Sequence, residues 1–157
     1  MKIILLLTGK TNITYINDGL MDYFKRINHY IRTEIITIPD IKGGKNYNIT
    51  KIQSEEAGVQ KKYFTKADFI VLLDENGEEL SSVNFARFVE HKMQTGIKNL
   101  MFVIGGAYGF SDEIRNIANA EISLSRLTFP HQLVRLIFME QLYRAFTIIR
   151  NEKYHHS

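Results

Sequence analysis

The sequence predicts an α/β domain built on a largely parallel sheet, and three observations predict it. Short continuous apolar runs recur along the chain, amphipathic helical stripes separate them, and no internal repeat, linker or low-complexity segment interrupts the alternation. The 157 residues fit one domain, residues 1–157, long enough to bury a core without disulfides or a structural metal.

The first run, Ile3-Ile4-Leu5-Leu6-Leu7, is opened by Lys2 and closed by Thr8-Gly9, and reads as a buried strand. Ile13, Ile16, Leu20, Phe24, Ile27 and Ile31 then recur as one stripe of an amphipathic helix. Residues 34–38 make a second strand, stopped by Pro39-Asp40, and Lys42-Gly43-Gly44-Lys45-Asn46 follows as a basic surface loop. Residues 50–64 read as a weaker helix because Gly58 lies within it. Phe69-Ile70-Val71-Leu72-Leu73 is a strong buried strand, and Asp74-Glu75-Asn76-Gly77 reads as a turn after it. Ser81 or Ser82 caps a helix carrying Phe85, Phe88, Val89 and Met93, which Gly96 ends. Residues 100–104 form another buried strand and lead into Gly105-Gly106-Ala107-Tyr108-Gly109. Ser111 caps a short helix with Asp112 and Glu113 in its first turn, where the helix dipole favours acidic groups. Residues 121–124 give a last short strand. Pro130 suits the first position of a final helix, whose wide apolar face includes Leu133, Val134, Ile137, Phe138 and Leu142. Glu140 and Arg144 form an i,i+4 pair on its other side.

Composition narrows the function classes. With no cysteine, a disulfide framework, a thiolate zinc site and a cysteine nucleophile are excluded, and a reducing compartment is suited. The opening apolar run is too short for a secretory signal, and no run approaches the roughly 20 apolar residues of a membrane span. A soluble, cytoplasmic protein is expected. The formal charge of +3 does not by itself indicate nucleic acid. From residue 124 onward, however, Arg126, Arg135, Arg144, Arg150 and Lys153 are opposed only by Glu140 and Glu152, with His131, His155 and His156 nearby.

Ligands of open α/β sheets bind beyond the carboxyl ends of the strands. After the first strand, Thr8-Gly9-Lys10-Thr11 looks like the end of a phosphate-binding loop, but that motif needs a glycine where this chain has Ile4. A dinucleotide fingerprint is also missing there. The glycines come late instead: Gly105 and Gly106 allow close backbone approach to a ligand, or serve only as a tight turn. Residues 123–131 mix apolar side chains with hydroxyls ahead of a helix. They could sandwich and read an adenine, or be an ordinary connection.

Three stretches taken together resemble one family. They are Val103-Ile104-Gly105-Gly106-Ala107-Tyr108-Gly109-Phe110-Ser111, then Leu124-Ser125-Arg126-Leu127-Thr128-Phe129-Pro130-His131-Gln132-Leu133-Val134-Arg135, then Glu140-Gln141-Leu142-Tyr143-Arg144-Ala145-Phe146 running to Tyr154-His155-His156. They look like the RlmH family of the SPOUT class, bacterial enzymes that methylate N3 of a pseudouridine in large-subunit (23S) ribosomal RNA. The resemblance covers nearly the whole chain. It implies a parallel sheet flanked by helices with a deep C-terminal trefoil knot, S-adenosyl-L-methionine as cofactor, and a two-fold homodimer acting on the ribosome, with no metal and no membrane. Carried onto this chain, the cofactor contacts are Leu73, Gly105, Leu124, Ser125, Arg126, Leu127, Thr128 and Phe129, the side chain of Arg126 being free to point elsewhere.

The terminal Tyr-His-His and its basic surroundings lead us to expect Tyr154 and His155 at the target base, reached from the partner subunit. Lys42, Lys45, Arg135 and His156 are expected to contact RNA, Arg135 alternatively the partner. Two competing readings are a flavodoxin-like ligand-binding or signalling module, with Asp74 as an acidic strand-end site, and a catalytically silent rRNA-binding relative.

Overall fold

The computed structural model describes residues 1–43 and 48–155. Ten elements alternate: β1 (Lys2–Thr8), α1 (Thr14–Ile27), β2 (Thr33–Ile38), α2 (Ile49–Phe64), β3 (Phe69–Glu79), α3 (Ser82–Gln94), β4 (Asn99–Ile104), α4 (Asp112–Ile117), β5 (Ala120–Ser123) and α5 (His131–Ile149). The five strands form one sheet in the order β2-β1-β4-β3-β5, and every pairing is parallel. A flavodoxin-like sheet has the order 2-1-3-4-5. Here β3 and β4 are exchanged, so the flavodoxin-like reading is set aside.

The apolar runs are continuous because both sheet faces are covered. Alternate residues of β1 face opposite ways: Ile3, Leu5 and Leu7 join the core beneath α1, α3 and α5, while Ile4 and Leu6 join the core beneath α2 and α4. The expected caps are present, with Ser81 Oγ accepting from Asn84 N and Ser111 Oγ from Ile114 N. Pro130 stands at the N-cap of α5 rather than inside its first turn. Helix α1 ends at Ile27, short of the expected Ile31. The Asn28 side chain interrupts it, donating to Phe24 O and accepting from Thr33 N, and Ile31 is buried beyond the turn.

The turn expected at residues 74–77 is an excursion within β3. Leu73 pairs with Ile122, four residues are set aside, and Glu78 pairs with the same Ile122 before Glu79 pairs with Ser123. Asp74 Oδ1 accepts from Asn76 N at 3.0 Å, which curls the chain outward. Gly77 brings it back against β5 so closely that a Cβ would stand 2.7 Å from main-chain atoms of Glu121 and Ile122. Among the described residues, no helix is long and apolar enough to cross a membrane. Because strand backbone cannot yield like a flexible side chain, Gly77→Ala is expected to destabilise the fold by about 1–3 kcal/mol in urea unfolding. An unchanged midpoint would contradict the described packing of β3 on β5.

Candidate active site

Adjacent strands β4, β3 and β5 end at one edge, and the chain segments that leave them enclose a cavity of about 390 Å³. Leu73, Gly105, Leu124, Ser125, Leu127, Thr128 and Phe129, all expected as cofactor contacts, line it together. Arg126 does not. Its Nη1 donates to Glu75 O at 3.0 Å and its Nε lies 3.2 Å from Glu79 Oε1, which ties the loop after β5 to the excursion of β3. That loop is shaped by its own hydroxyls: Ser123 Oγ donates to Ser125 O, and Ser125 Oγ accepts from Leu127 N. Leu127 is left 72% exposed at the cavity. Covering such a side chain contributes roughly 2 kcal/mol, so the loop is built to gain from an occupant with an apolar face.

One wall is charged. Asp74 bonds Arg115 Nη2 at 2.9 Å, and Arg115 Nη1 reaches Glu121 at 2.6 Å. Burial alone would raise the Asp74 carboxyl, but hydrogen bonds from Arg115 and Asn76 hold it below the usual aspartate range. Asp74 is therefore a paired structural anion rather than a free acidic site. His131 also lines the cavity; partial burial and then the Arg135 charge lower its pKa.

Arg135 sits inside the fold. Expected at RNA or the partner, it is wholly buried, with Nη2 donating to Thr8 O at 2.6 Å and Nη1 to Thr11 Oγ1 at 2.7 Å. A guanidinium in that position braces the end of β1 and the segment after it. Gln132 reinforces the grip, its Oε1 accepting from Asn12 N and Ile13 N. The first turn of α5 is thus clamped to the entry of α1, which lacks a side-chain cap of its own.

Tyr154 and His155 lie elsewhere. After α5 the chain folds back, and Tyr154 Oη donates to Glu140 Oε1 at 3.1 Å and meets Tyr23 Oη at 3.4 Å. The Tyr154 ring packs edge-on against Tyr143 and carries the Arg144 guanidinium 4.9 Å from its centroid. Arg144 also bonds Glu140 and approaches His155 Nδ1 at 3.4 Å. Burial and the Tyr23 hydrogen bond raise the Tyr154 pKa, so its hydroxyl is a donor at neutral pH. Nine residues of α5, about 14 Å of helix rise, separate Glu140 from the cavity residue His131. Within one chain the tail and the cavity are not brought together. Lys42 is exposed, and the expected RNA contacts Lys45 and His156 lie outside the described residues.

A family model described as a predicted SPOUT methyltransferase matches residues 1–155. The chain belongs to the SPOUT methyltransferase family. It is 47% identical over 156 residues to a protein of Christiangramia forsetii named Ribosomal RNA large subunit methyltransferase H, covering 99% of each chain. A protein of the same name from Parabacteroides distasonis is 46% identical over the same span, again covering 99% of each. Among solved structures, a probable methylase family protein from Haemophilus influenzae Rd KW20 superposes with a TM-score of 0.55 at 11% identity, covering 97% of this chain and 67% of that one. TrmJ from Z. mobilis ZM4 gives 0.52 at 7% identity, covering 100% and 72%. At such identities these two structures carry the fold alone.

Sequence reasoning pointed to the loops that line this cavity and missed their braces. The Glu140–Arg144 pair was visible as an i,i+4 spacing, but not its grip on the tail. In the Asp74–Arg115–Glu121 bridge, Asp74 and Arg115 are too far apart in sequence for any local signal. Its contribution follows pH with a definite sign. The folded Asp74 pKa lies below the unfolded value of about 3.9, so the stabilisation is complete above that pH and is lost as pH falls through the folded value. Asp74→Asn is expected to lower stability by about 2 kcal/mol near neutrality, with a smaller gap from wild type near pH 3. Urea unfolding at both pH values measures this, and a constant gap would contradict the pairing.

Proposed function

We propose that the chain is a cytoplasmic enzyme transferring a methyl group from S-adenosyl-L-methionine to N3 of a pseudouridine in large-subunit ribosomal RNA, as a two-fold homodimer that assembles on the ribosome. The observation that carries this reading is the cavity walled by the ends of β3, β4 and β5 on a SPOUT-family chain. The printed names of the full-length relatives supply the RNA class. The cavity volume falls within the roughly 300–1,000 Å³ of small-molecule sites, and the exposed Leu127 and the glycine loop suit a flat aromatic base. When bound, the cofactor supplies an electrophilic methyl group on a sulfonium. The C-terminal knot belongs to the same proposal. It is supported by β3 lying between β4 and β5, and by α5 returning from β5 to pack on α1 and α3.

The dimer answers the separation of tail and cavity. Leu133, Ile137, Glu140 and Arg144 follow one another at helical spacing along α5 and are all half-buried. A two-fold contact uses the same patch twice. With this stripe as the patch and the two-fold axis perpendicular to α5, the two α5 helices would run antiparallel, and the tail end of one would lie beside the cavity end of the other. Tyr154 and His155 then complete the partner's site. There Tyr154, held protonated, would position the base and His155 would take up the N3 proton, the cofactor supplying the methyl group.

His155→Ala is expected to lower kcat roughly 100-fold with unchanged S-adenosylhomocysteine affinity. Mixing it with a cavity-dead variant such as Leu124→Arg should restore activity through mixed dimers. No restoration on mixing would reject the shared site. Lys42→Ala should weaken ribosome binding and reduce the slope of log affinity against log salt by about 1. An unchanged slope removes Lys42 from the RNA surface.

A further inference from the structure

On the sheet face opposite α5, helix α2 turns polar side chains toward the carboxyl ends of β1 and β4. Gln53 Nε2 donates to Tyr108 O at 2.7 Å, and Gln60 Nε2 donates to Thr8 Oγ1 at 3.2 Å. Between them stands Glu56, only 4% exposed. Its carboxylate lies directly against Gly106, where a Cβ would stand 2.7 Å from Oε1 and 2.8 Å from Oε2. Gly106 lines the cavity and closes the glycine loop by accepting from Gly109 N at 3.2 Å. Glu56 Oε2 has no hydrogen-bond partner among the described residues. Burial raises the Glu56 carboxyl above its usual range, with the main-chain amides of Ile41 and Gly106 pulling the other way. A buried carboxylate with an unpartnered oxygen costs several kcal/mol more than an apolar side chain of similar volume. Packing alone would favour an apolar residue at this position, as at its neighbours Ile52 and Ala57.

We infer that Glu56 is a positioning residue for the cofactor half of the site. Its carboxylate occupies the space beside Gly106 and sets the path of the glycine loop, whose far end Gln53 holds one helical turn away. Glu56 touches no reacting atom and acts through the main chain of Gly106. This also accounts for the second glycine of the loop: a side chain at residue 106 and a carboxylate at residue 56 exclude each other. The inference rests on the cofactor reading of the cavity given above.

Titration of S-adenosylhomocysteine into the full chain, with a parallel unfolding curve for each variant, tests it. Glu56→Ala is expected to raise Kd about tenfold, and Glu56→Gln, which keeps the size and one acceptor, to stay within about threefold of wild type. Gly106→Ala is expected to weaken binding about tenfold in the wild-type background. It should weaken binding far less on top of Glu56→Ala, because the new methyl group enters the vacated space. In turnover, Gly106→Ala should raise KM for the methyl donor while leaving kcat at saturation nearly unchanged. Strictly additive effects of the two substitutions, or wild-type affinity in folded Glu56→Ala, would overturn the inference. If Glu56→Ala does not fold, the comparison of Gly106→Ala alone with Gly106→Ala/Glu56→Gln decides: wild-type affinity in Gly106→Ala overturns it. Absence of binding by the wild-type chain would instead overturn the cofactor reading itself, and this inference with it.

Discussion

The parallel seating of β3 between β4 and β5 is the constraint on which the rest of the structure depends. Parallel strands all end at the same edge of the sheet. Because β3 has both neighbours, the segments leaving three adjacent strands converge, and the cavity is the space they leave. The excursion after Leu73 does not end the strand. It resumes at Glu78 and holds β5 as far as Ser123, which fixes where the loop at residues 124–130 begins. Arg126 then bridges that loop back to Glu75 and Glu79. The cavity is therefore set by strand pairing first and by side-chain ties second.

Helix α5 works as the second organiser. Its start closes the cavity and is locked to the end of β1 by Arg135 and to the entry of α1 by Gln132. Its middle is the aromatic part of the core, with Phe138 against Phe85 and Phe102. Its last turns hold the returning tail through Glu140, Tyr143 and Arg144. One rigid helix thus carries both a cavity wall and the basic tail, and keeps them apart within a chain. That spacing is what the proposed antiparallel pairing of two copies would bridge.

Local signals in the sequence carried most of the fold. The strands were visible as apolar runs because both faces of the sheet are covered, and Ser81 and Ser111 were legible as caps because capping is a short-range hydrogen bond. The segments expected at the cofactor were legible through the resemblance of residues 103–111 and 124–135, and of the contacts expected there, Leu73, Gly105, Leu124, Ser125, Leu127, Thr128 and Phe129 do meet at one cavity. What was not legible is long-range. The exchange of β3 and β4 leaves no trace in the order of elements. Arg135 reads as one more surface cation, because nothing local shows that Thr8 O and Thr11 wait for it across the fold. Glu56 lies in a stretch that reads as a weak, polar helix, and only the glycine loop packed above it reveals a buried carboxylate.

The most direct test of the central claim is transfer of labelled methyl from S-adenosyl-L-methionine to ribosomes lacking this modification. Assembled ribosomes, separate large subunits and naked ribosomal RNA are compared, and the product is mapped by mass spectrometry. The account predicts one methyl group per particle, on N3 of a single pseudouridine of the large-subunit RNA, in at least one of the ribosomal particles. Label on another nucleoside, or no transfer to any of the three by a chain that binds S-adenosylhomocysteine, would contradict it.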